Sequence, residues 1–395
     1  MGLSNFSIII LALANAGSVV GMTLITPSLT MIKSSFEVSA EITQLVLTFF
    51  IVFVAFGQLI FGTLSDRIGR RPIIIFGAFL YFIGGFLAMI SPYIELLIVV
   101  RIIQGLGAAA CLSMARVIVN DSFEKNEAAE KLSLITAVMV IFPNIALIMG
   151  GVIADTIGWQ GSMATLSVFG LIILVGTYFY VPETKSFNSD TFDFSKILNS
   201  YYQVITNKVF FNFTSLGAIQ TSIFFSCFSF MPYEFERMGV SSTEFSIWLA
   251  FTGIGYFSGN IINGKYASKI GISRMCFCGC LGSSFAFILM LFLYHLGVQH
   301  PLFISIPLFL FGLSNGVTVA NSIIGGVSAT GKLSGSATGI AGAIQMGGAA
   351  ILGTFIIYIG GDENFTLSIS VIILLSLIAI ISAWKMLKNY QNNGE

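Results

Sequence analysis

The sequence predicts an all-α membrane protein with twelve transmembrane helices in two six-helix bundles, and three observations carry this prediction. The first is composition. Of the 395 residues, 56% are hydrophobic and only 9% are charged, and the mean hydropathy is +0.93. A soluble fold cannot bury this much apolar surface, so we expect the lipid bilayer to be the main solvent of the chain.

The second observation is the spacing of twelve apolar runs, each long enough to cross about 30 Å of hydrocarbon. The longest polar stretch, 182–208, separates the first six runs from the last six and predicts an N-terminal bundle over 1–181, a cytoplasmic linker, and a C-terminal bundle over 209–395. The predicted spans are 6–26, 42–61, 73–91, 95–119, 133–153, 162–181, 209–231, 244–264, 274–295, 301–323, 335–358 and 366–387.

The third observation is the distribution of the 18 Lys and Arg residues. With both termini inside, fourteen of them fall on the inner side, and only Lys33 and Arg237 fall outside. The other two, Arg101 and Arg116, lie within the fourth span. Because cations accumulate in short cytoplasmic loops, this asymmetry predicts an even number of spans with both termini in the cytoplasm.

Composition and motifs also exclude several functions. The formal net charge is zero and there is no basic block, so we expect no nucleic-acid partner. The alternating Cys276, Cys278 and Cys280 would point about 200° apart from one to the next on a helix and cannot converge on one metal ion. With no nucleophile–base pair or phosphate loop either, we expect no enzyme activity, no cofactor and no metal.

The segment GTLSDRIGRRP, residues 62–72, joins the second and third spans, and we call it the first hinge. Its charges must lie in water, which predicts a tight turn at a membrane face. We expect Gly62 to admit a close backbone neighbour, Gly69 to take a positive φ, and Pro72 to lie in the first turn of the next helix. Three cations place the turn in the cytoplasm. The charged residues are Asp66, Arg67, Arg70 and Arg71.

The first hinge resembles the signature loop of the major facilitator superfamily, G-x-L-a-D-R-x-G-R-[RK], at every named position. The run RIIQGLGAA from Arg101 resembles the second motif of that superfamily, R-x-x-Q-G-x-G-a-a. Together with TQLVLTFFIVFVAFGQLIFGTLSDRIGRRP, it is similar to the bicyclomycin and chloramphenicol resistance branch, Bcr/CflA. The resemblance implies a secondary transporter of the bacterial inner membrane that works by alternating access, with a small-molecule substrate and protons as partners. We expect it to act as a monomer.

The resemblance also implies a gating group at the inner face. In this implied group, Arg70 pairs with Asp121 at the inner end of the fourth span, and Asp66 lies at the N-terminus of a helix in the other half. An anion is favoured there because a helix N-terminus carries partial positive charge. The predicted gating residues are Gly62, Asp66, Arg67, Gly69, Arg70, Arg71, Arg116 and Asp121.

An internal repeat is visible at the first hinge. Gly62, Arg67, Ile68 and Gly69 recur 202 positions later as Gly264, Lys269, Ile270 and Gly271, while Ser268 replaces Asp66. Two six-helix halves in a parallel repeat place the substrate site near the bilayer midplane between them. We therefore expect the second hinge to keep the turn and to lack the anion.

Polar residues within apolar spans are the candidates for the transport path. An arginine in hydrocarbon costs about 2.5–3.5 kcal/mol, so Arg101 is expected to face a polar cavity, unless it extends to the outer interface. Phe224 and Phe228 follow Gln220 at helical spacing and either stack on an amphipathic substrate or face lipid. The predicted transport path is Asn15, Arg101, Gln104, Gln220, Phe224, Phe228 and Asn315.

No acid lies in the middle third of any predicted span. Glu41, Glu95, Asp155 and Glu234 all fall near outer ends, where hydrated loop or helix-cap charges are the simpler interpretation. If protons drive transport, Glu41 and Asp155 are the predicted carriers, because burial raises the pKa of a carboxyl.

Two departures from the family pattern keep the direction of transport open. The fifth-span motif, usually G-P-x-x-G-G, reads ALIMGG over 146–151 without its proline, and Thr23 occupies a place that is often acidic in the first span. The resemblance nevertheless implies a proton-coupled exporter of amphipathic drugs or siderophore-like compounds. An importer of a nutrient or siderophore and a transporter-like sensor are the alternatives.

Overall fold

Helices make up nearly the whole of the computed structural model, which describes residues 3–185, 194–297 and 300–392. These three ranges contain no strand. They contain twelve helical segments that are long and apolar enough to cross a membrane, as the apolar runs predict. The all-α, twelve-span fold class is thereby confirmed.

The chain divides into two compact units, residues 1–198 and 199–395. The first contains α1 Asn5–Thr23, α2 Leu29–Ser35, α3 Ala40–Ile68, α4 Arg70–Met89, α5 Ile94–Ser122, α6 Lys125–Ile157 and α7 Trp159–Tyr180. A 3₁₀ turn over Thr26–Ser28 connects α1 to α2, and the three form one apolar segment, Asn5–Ser35.

The second unit contains α9 Lys208–Arg237, α10 Ser242–Ile270, α11 Ile272–His295, α12 Leu302–Ser328, α13 Ser334–Tyr358 and α14 Phe365–Asn392. Helix α8, Phe194–Thr206, crosses the boundary between the units. It occupies much of the predicted linker 182–208, which is therefore partly helical. The linker residues 186–193 lie outside the described part of the chain.

Helices pair in the same order within each unit. In the first unit α5 packs against α3, α4 and α1, α4 packs against α7, and α1 packs against α6. In the second unit α12 packs against α10, α11 and α9, α11 packs against α14, and α9 packs against α13. This correspondence extends the internal repeat from the hinges to the whole bundle, because each unit repeats the same neighbours.

Small residues set the closest helix contacts in both units. A Cβ at Gly105 of α5 would stand 2.5 Å from the carbonyl oxygen of Phe50 on α3, and one at Gly259 of α10 would stand 2.1 Å from that of Leu313 on α12. Lipid supplies little hydrophobic force between helices, so close backbone packing of this kind stabilises membrane bundles. Helices α5 and α12 are therefore the central supports of their units.

Several helices extend beyond the predicted spans. Helix α3 ends at Ile68 rather than at 61, α6 runs over Lys125–Ile157 rather than 133–153, and α9 reaches Arg237 rather than 231. The apolar runs mark only the part of each helix within hydrocarbon. Charged residues such as Glu, Lys and Arg form helices well in water, so the helices continue past the bilayer.

Candidate functional site

The first hinge is a single non-helical residue rather than a turn of several residues. Helix α3 continues to Ile68 and α4 begins at Arg70, so Gly69 alone joins them, with φ +111°. The predicted positive φ is confirmed, and Pro72 lies in the first turn of α4 as expected. The prediction for Gly62 is wrong: among the described residues, no heavy atom lies within 4 Å of a Cβ built there.

Arg70 connects three helices at the first hinge. Its Nη1 lies 2.6 Å from Asp66 Oδ1 on α3, and its Nε donates to Asp121 Oδ2 on α5 at 3.0 Å. Nη1 also donates to Ser65 Oγ at 2.5 Å. The pair with Asp121 is the one that the resemblance implies. Arg70 is 13% exposed and Asp66 is 63% exposed, so Arg70 is fixed in place while Asp66 remains accessible to a further partner.

Glu183, three residues after α7 ends, binds the N-terminus of α4. Its carboxylate accepts from the backbone N–H groups of Arg70 at 2.9 Å and Arg71 at 3.2 Å. It also accepts from the N–H groups of Thr184 and Lys185 in its own segment. The first N–H groups of a helix have no partner within the helix and attract an anion. Glu183 is therefore an N-terminal cap of α4 that is supplied by another part of the chain.

The four N–H donors control the charge of Glu183. Burial alone raises the pKa of this carboxyl, but the bonds from Lys185, Arg70, Arg71 and Thr184 together hold its pKa below the ordinary value. A carboxyl with a lowered pKa contributes its stability above the unfolded-state pKa and loses it as the pH falls through the folded-state pKa. Glu183 therefore binds the hinge as an anion throughout the neutral range.

Two further contacts attach the same segment to the first hinge. Arg71 Nη2 donates to the carbonyl oxygen of Tyr178 at 2.7 Å, and its guanidinium lies 5.7 Å from the centre of the Tyr178 ring. Lys185 Nζ donates to the carbonyl oxygen of Asp66. Arg67 is exposed. Glu183, Tyr178 and Lys185 are not among the site residues predicted from the sequence. The signal available was an acid directly after the sixth span, on the face predicted for the hinge.

The substitution Gly69→Ala should disrupt the first hinge more than Gly271→Ala disrupts the second. Gly271 also has a positive φ, +91°, so both alanines meet backbone strain of about 1–3 kcal/mol. Only at Gly69 would the new Cβ stand 2.5 Å from Glu183 Oε2, whereas nothing lies within 4 Å at Gly271. Thermal unfolding of the purified variants should show the larger loss for Gly69→Ala. Equal losses would show that Glu183 does not restrict this position.

Arg101 does not face an open cavity in this structure, contrary to the prediction for it. Its side chain is 0% exposed, and it is enclosed by α1, α3 and α5. Nε donates to the carbonyl oxygen of Val46 at 3.2 Å, Nη2 to that of Gly21 at 2.7 Å, and Nη1 to Gln104 Oε1 at 2.5 Å. The guanidinium also stacks 4.0 Å from the centre of the Phe50 ring. Backbone dipoles and a ring solvate this cation, and it does not extend to the outer interface.

Arg116 is separate from the first hinge, although it is one of the predicted gating residues. Its Nε donates to Asn15 Oδ1 on α1 at 3.1 Å, and its Nη2 contacts the sulfur of Met139 on α6 at 3.6 Å. Asp121, in the same predicted gating group, binds Arg70, as the resemblance implies. Arg116 is separate from this pair because it lies more than one turn before Asp121, on a different part of the α5 surface.

The second unit brings together its predicted transport-path residues. Gln220 on α9 accepts from Ser283 at 3.1 Å, and Asn315 on α12 donates to the carbonyl oxygen of Gln220 at 2.8 Å. One turn further along α9, the Phe224 ring lies 5.5 Å from that of Phe228. Gln220, Asn315 and Phe228 are buried, and Phe224 is partly exposed. Phe224 is therefore the member of this set whose side chain a substrate or lipid can reach without rearrangement.

The acids differ from the prediction in their burial. Glu41 and Asp155 are both exposed, so burial gives neither of them a special role. Glu234, for which a hydrated position was the simpler interpretation, is 5% exposed. It pairs with Arg237 one turn later on α9, and Arg237 also donates to the carbonyl oxygen of Asp362. Glu234 lies in the last turn of α9, which continues past Pro232 to Arg237.

Twelve membrane-length helices in two units with the same helix pairing, and a charged hinge in the first unit, define a multi-pass membrane protein. The family model described as Major Facilitator Superfamily matches residues 11–354. The chain belongs to the major facilitator superfamily.

Two relatives and one solved structure are similar to this chain. It is 27% identical over 266 residues to a chloramphenicol resistance protein of Pseudomonas aeruginosa, covering 66% of this chain and 62% of the relative. It is 24% identical over 344 residues to a bicyclomycin resistance protein homolog of Haemophilus influenzae, covering 85% of each. The crystal structure of a D-xylose-proton symporter shares the fold, with a TM-score of 0.76 and 16% identity over 97% of this chain and 98% of the symporter. The resemblance to the Bcr/CflA branch is confirmed.

Proposed function

We propose that this chain is a proton-coupled exporter of small amphipathic molecules, drugs or siderophore-like compounds, that works by alternating access. The observation that carries the proposal is its similarity over much of its length to relatives named for resistance to chloramphenicol and bicyclomycin. We place it in the bacterial inner membrane, as a monomer with both termini in the cytoplasm. Both drugs are neutral compounds, so the proposed substrate class begins with neutral molecules.

The first hinge supports alternating access. Arg70, with Asp66 and Asp121, forms a set of ion pairs at the junction of α3, α4 and α5. Asp66 is 63% exposed and can exchange its partner, whereas Glu183 holds the start of α4 in position from the other side. A gate needs one fixed part and one part whose contacts differ between two states. We assign the fixed part to Glu183 and Arg70 and the exchanging part to Asp66.

Glu234 is the proton carrier that the geometry supports. It is a buried acid within a spanning helix, and its partner Arg237 is 41% exposed. A buried charge costs free energy unless it is paired, so a buried acid with a half-exposed partner is a candidate for a change of charge. Protonation of Glu234 would remove its attraction for Arg237, which also holds the carbonyl oxygen of Asp362 before α14. Proton binding would thus loosen the contact between the end of α9 and the segment that precedes α14.

The substitution Glu234→Gln should reduce proton-driven export by about tenfold or more and leave substrate binding in place. The amide keeps the shape of the protonated acid and cannot release a proton, so only the coupled step is lost. Glu236→Gln is the matched control, because Glu236 lies two residues further on and is exposed. Export and binding should be measured on the same preparations. A pronounced loss of export in both variants, or in neither, would show that Glu234 has no part in the coupling step.

The proposed function is tested with inverted membrane vesicles that are energised to acidify their interior. An exporter should accumulate labelled chloramphenicol inside these vesicles, and a protonophore should abolish the accumulation. Vesicles without the protein and vesicles with Asp66→Asn provide the two baselines. Proton-driven movement of the drug out of the vesicles would indicate an importer. Binding without movement across a panel of amphipathic compounds would indicate a sensor.

A further inference from the structure

Arg116 is a cation within a spanning helix and has no acidic partner among the described residues. It lies six residues before the end of α5 and is partly buried. Arg70 pairs with two carboxylates and Arg237 pairs with one. Because a charge in the membrane is costly, a cation kept there without a counter-ion calls for a partner to be named.

The contacts of Arg116 orient it without neutralising it. Asn15 is 0% exposed, and its Nδ2 donates to the carbonyl oxygen of Ile135 at 3.2 Å. Its Oδ1 is thereby directed at Arg116 Nε, 3.1 Å away. The amide is neutral, and the sulfur of Met139 at 3.6 Å is only a weak acceptor. The two contacts fix the plane of the guanidinium and leave its charge uncompensated.

The terminal edge of the guanidinium remains available. Nη1 has no hydrogen-bond partner among the described residues, and it is not among the fully buried polar atoms that lack one. Arg101 is the opposite case, since it is enclosed on all sides and all three of its nitrogens have acceptors. Of these two cations in α5, Arg116 alone presents donors to a ligand.

A second unused polar group lies nearby in the sequence of α1. Ser18 is three residues after Asn15, so the two lie on the same face of the helix. Ser18 is 4% exposed, and its buried hydroxyl has no hydrogen-bond partner among the described residues. A buried hydroxyl without a partner costs free energy, which a ligand that accepts its hydrogen bond would recover.

We infer that Arg116 binds the carboxylate of an organic anion, with Asn15 as its positioning residue. An Nη1–Nη2 edge matches the two oxygens of a carboxylate, and such charge-assisted bidentate pairs are the strong ones. The inference rests on the proposed function and narrows its substrate class: amphipathic acids join the neutral drugs, and lipophilic cations are disfavoured. Cations are disfavoured because no carboxylate among the described residues pairs with Arg116.

The test compares each acid with its uncharged amide on the purified full chain. The probes are 1-naphthoate with 1-naphthamide and 4-phenylbutyrate with 4-phenylbutyramide, and the readout is the apparent affinity from thermal stabilisation. The wild type should prefer each acid by about tenfold or more, the range expected for a charge-assisted bond. Arg116→Gln should reduce the preference to about one, and Arg116→Lys should retain part of it. Arg274→Gln, which removes an exposed charge in the second unit, should leave it unchanged.

The inference is overturned if the wild type binds neither acid better than its amide, a result that needs no variant to fold. It is also overturned if the acid preference survives in Arg116→Gln. Chloramphenicol transport separates this failure from that of the proposed function. If the protein exports chloramphenicol with protons but shows no acid preference, only the proposed anion site is refuted. If it prefers the acids but exports nothing, the anion site stands and the proposed exporter function is refuted.

Discussion

Replacing Arg101 by alanine should lower the amount of folded protein, rather than leave a folded protein that cannot transport. Among the described residues, Arg101 has the largest fully buried side chain, and its guanidinium joins carbonyl groups of α1 and α3 to α5. Truncating a large buried side chain costs about 3–5 kcal/mol, because a cavity remains and packing contacts are lost. Such a loss is a large part of the stability of a typical domain. Detergent-solubilised yield and thermal unfolding are the measurements.

Arg101→Met and Arg101→Lys separate volume from charge. Methionine restores much of the apolar volume without the donors, and lysine keeps a charge but loses the planar fork that reaches both carbonyls. If Arg101 acts through packing and hydrogen bonding, both variants should be more stable than Arg101→Ala, and transport per folded molecule should recover with stability. A well-folded Arg101→Ala protein that fails only in transport would show that Arg101 acts in the transport path and not in folding.

The sequence predicts the fold well because a membrane span is recognisable from its local amino-acid composition. A run of apolar residues must be helical in lipid, where backbone groups can bond only within the segment. The twelve spans, the positive φ of Gly69 and the repeat at Gly271 follow from such local rules. Helix ends do not, because residues beyond the hydrocarbon are free to continue a helix, as at Ile68 and Arg237.

Side-chain partners are predicted less well, because many of them are backbone groups that any residue carries. Arg101 is recognisable as a costly charge, but the carbonyls of Gly21 and Val46 that solvate it leave no mark in the sequence. Glu183 is likewise one acid in a polar stretch until the N–H groups of α4 are placed beside it. The Arg70–Asp121 pair is different, since both partners are side chains and belong to a family pattern.

The substitution with the largest expected effect on transport itself is Arg70→Gln. It removes the ion pairs with Asp66 and Asp121 together, and it leaves two acids at the first hinge without their cation. The helices should still form, because the backbone N–H of residue 70 continues to bind Glu183 whatever its side chain. We therefore expect near-normal yield with proton-driven export reduced by more than tenfold.

Lys269→Gln is the matched control for Arg70→Gln. Lys269 lies at the second hinge, is exposed, and occupies the repeat position of Arg67, where Ser268 stands in place of the acid. The control should transport normally if gating depends on the ion pairs of the first hinge alone.

Arg70→Lys sharpens the comparison, because a single ammonium cannot bind Asp66, Asp121 and Ser65 with the geometry of a guanidinium. Its export should fall between that of wild type and Arg70→Gln. Normal export by Arg70→Gln at normal yield would mean that these ion pairs are structural, and the gate would have to be sought among other contacts of Asp66.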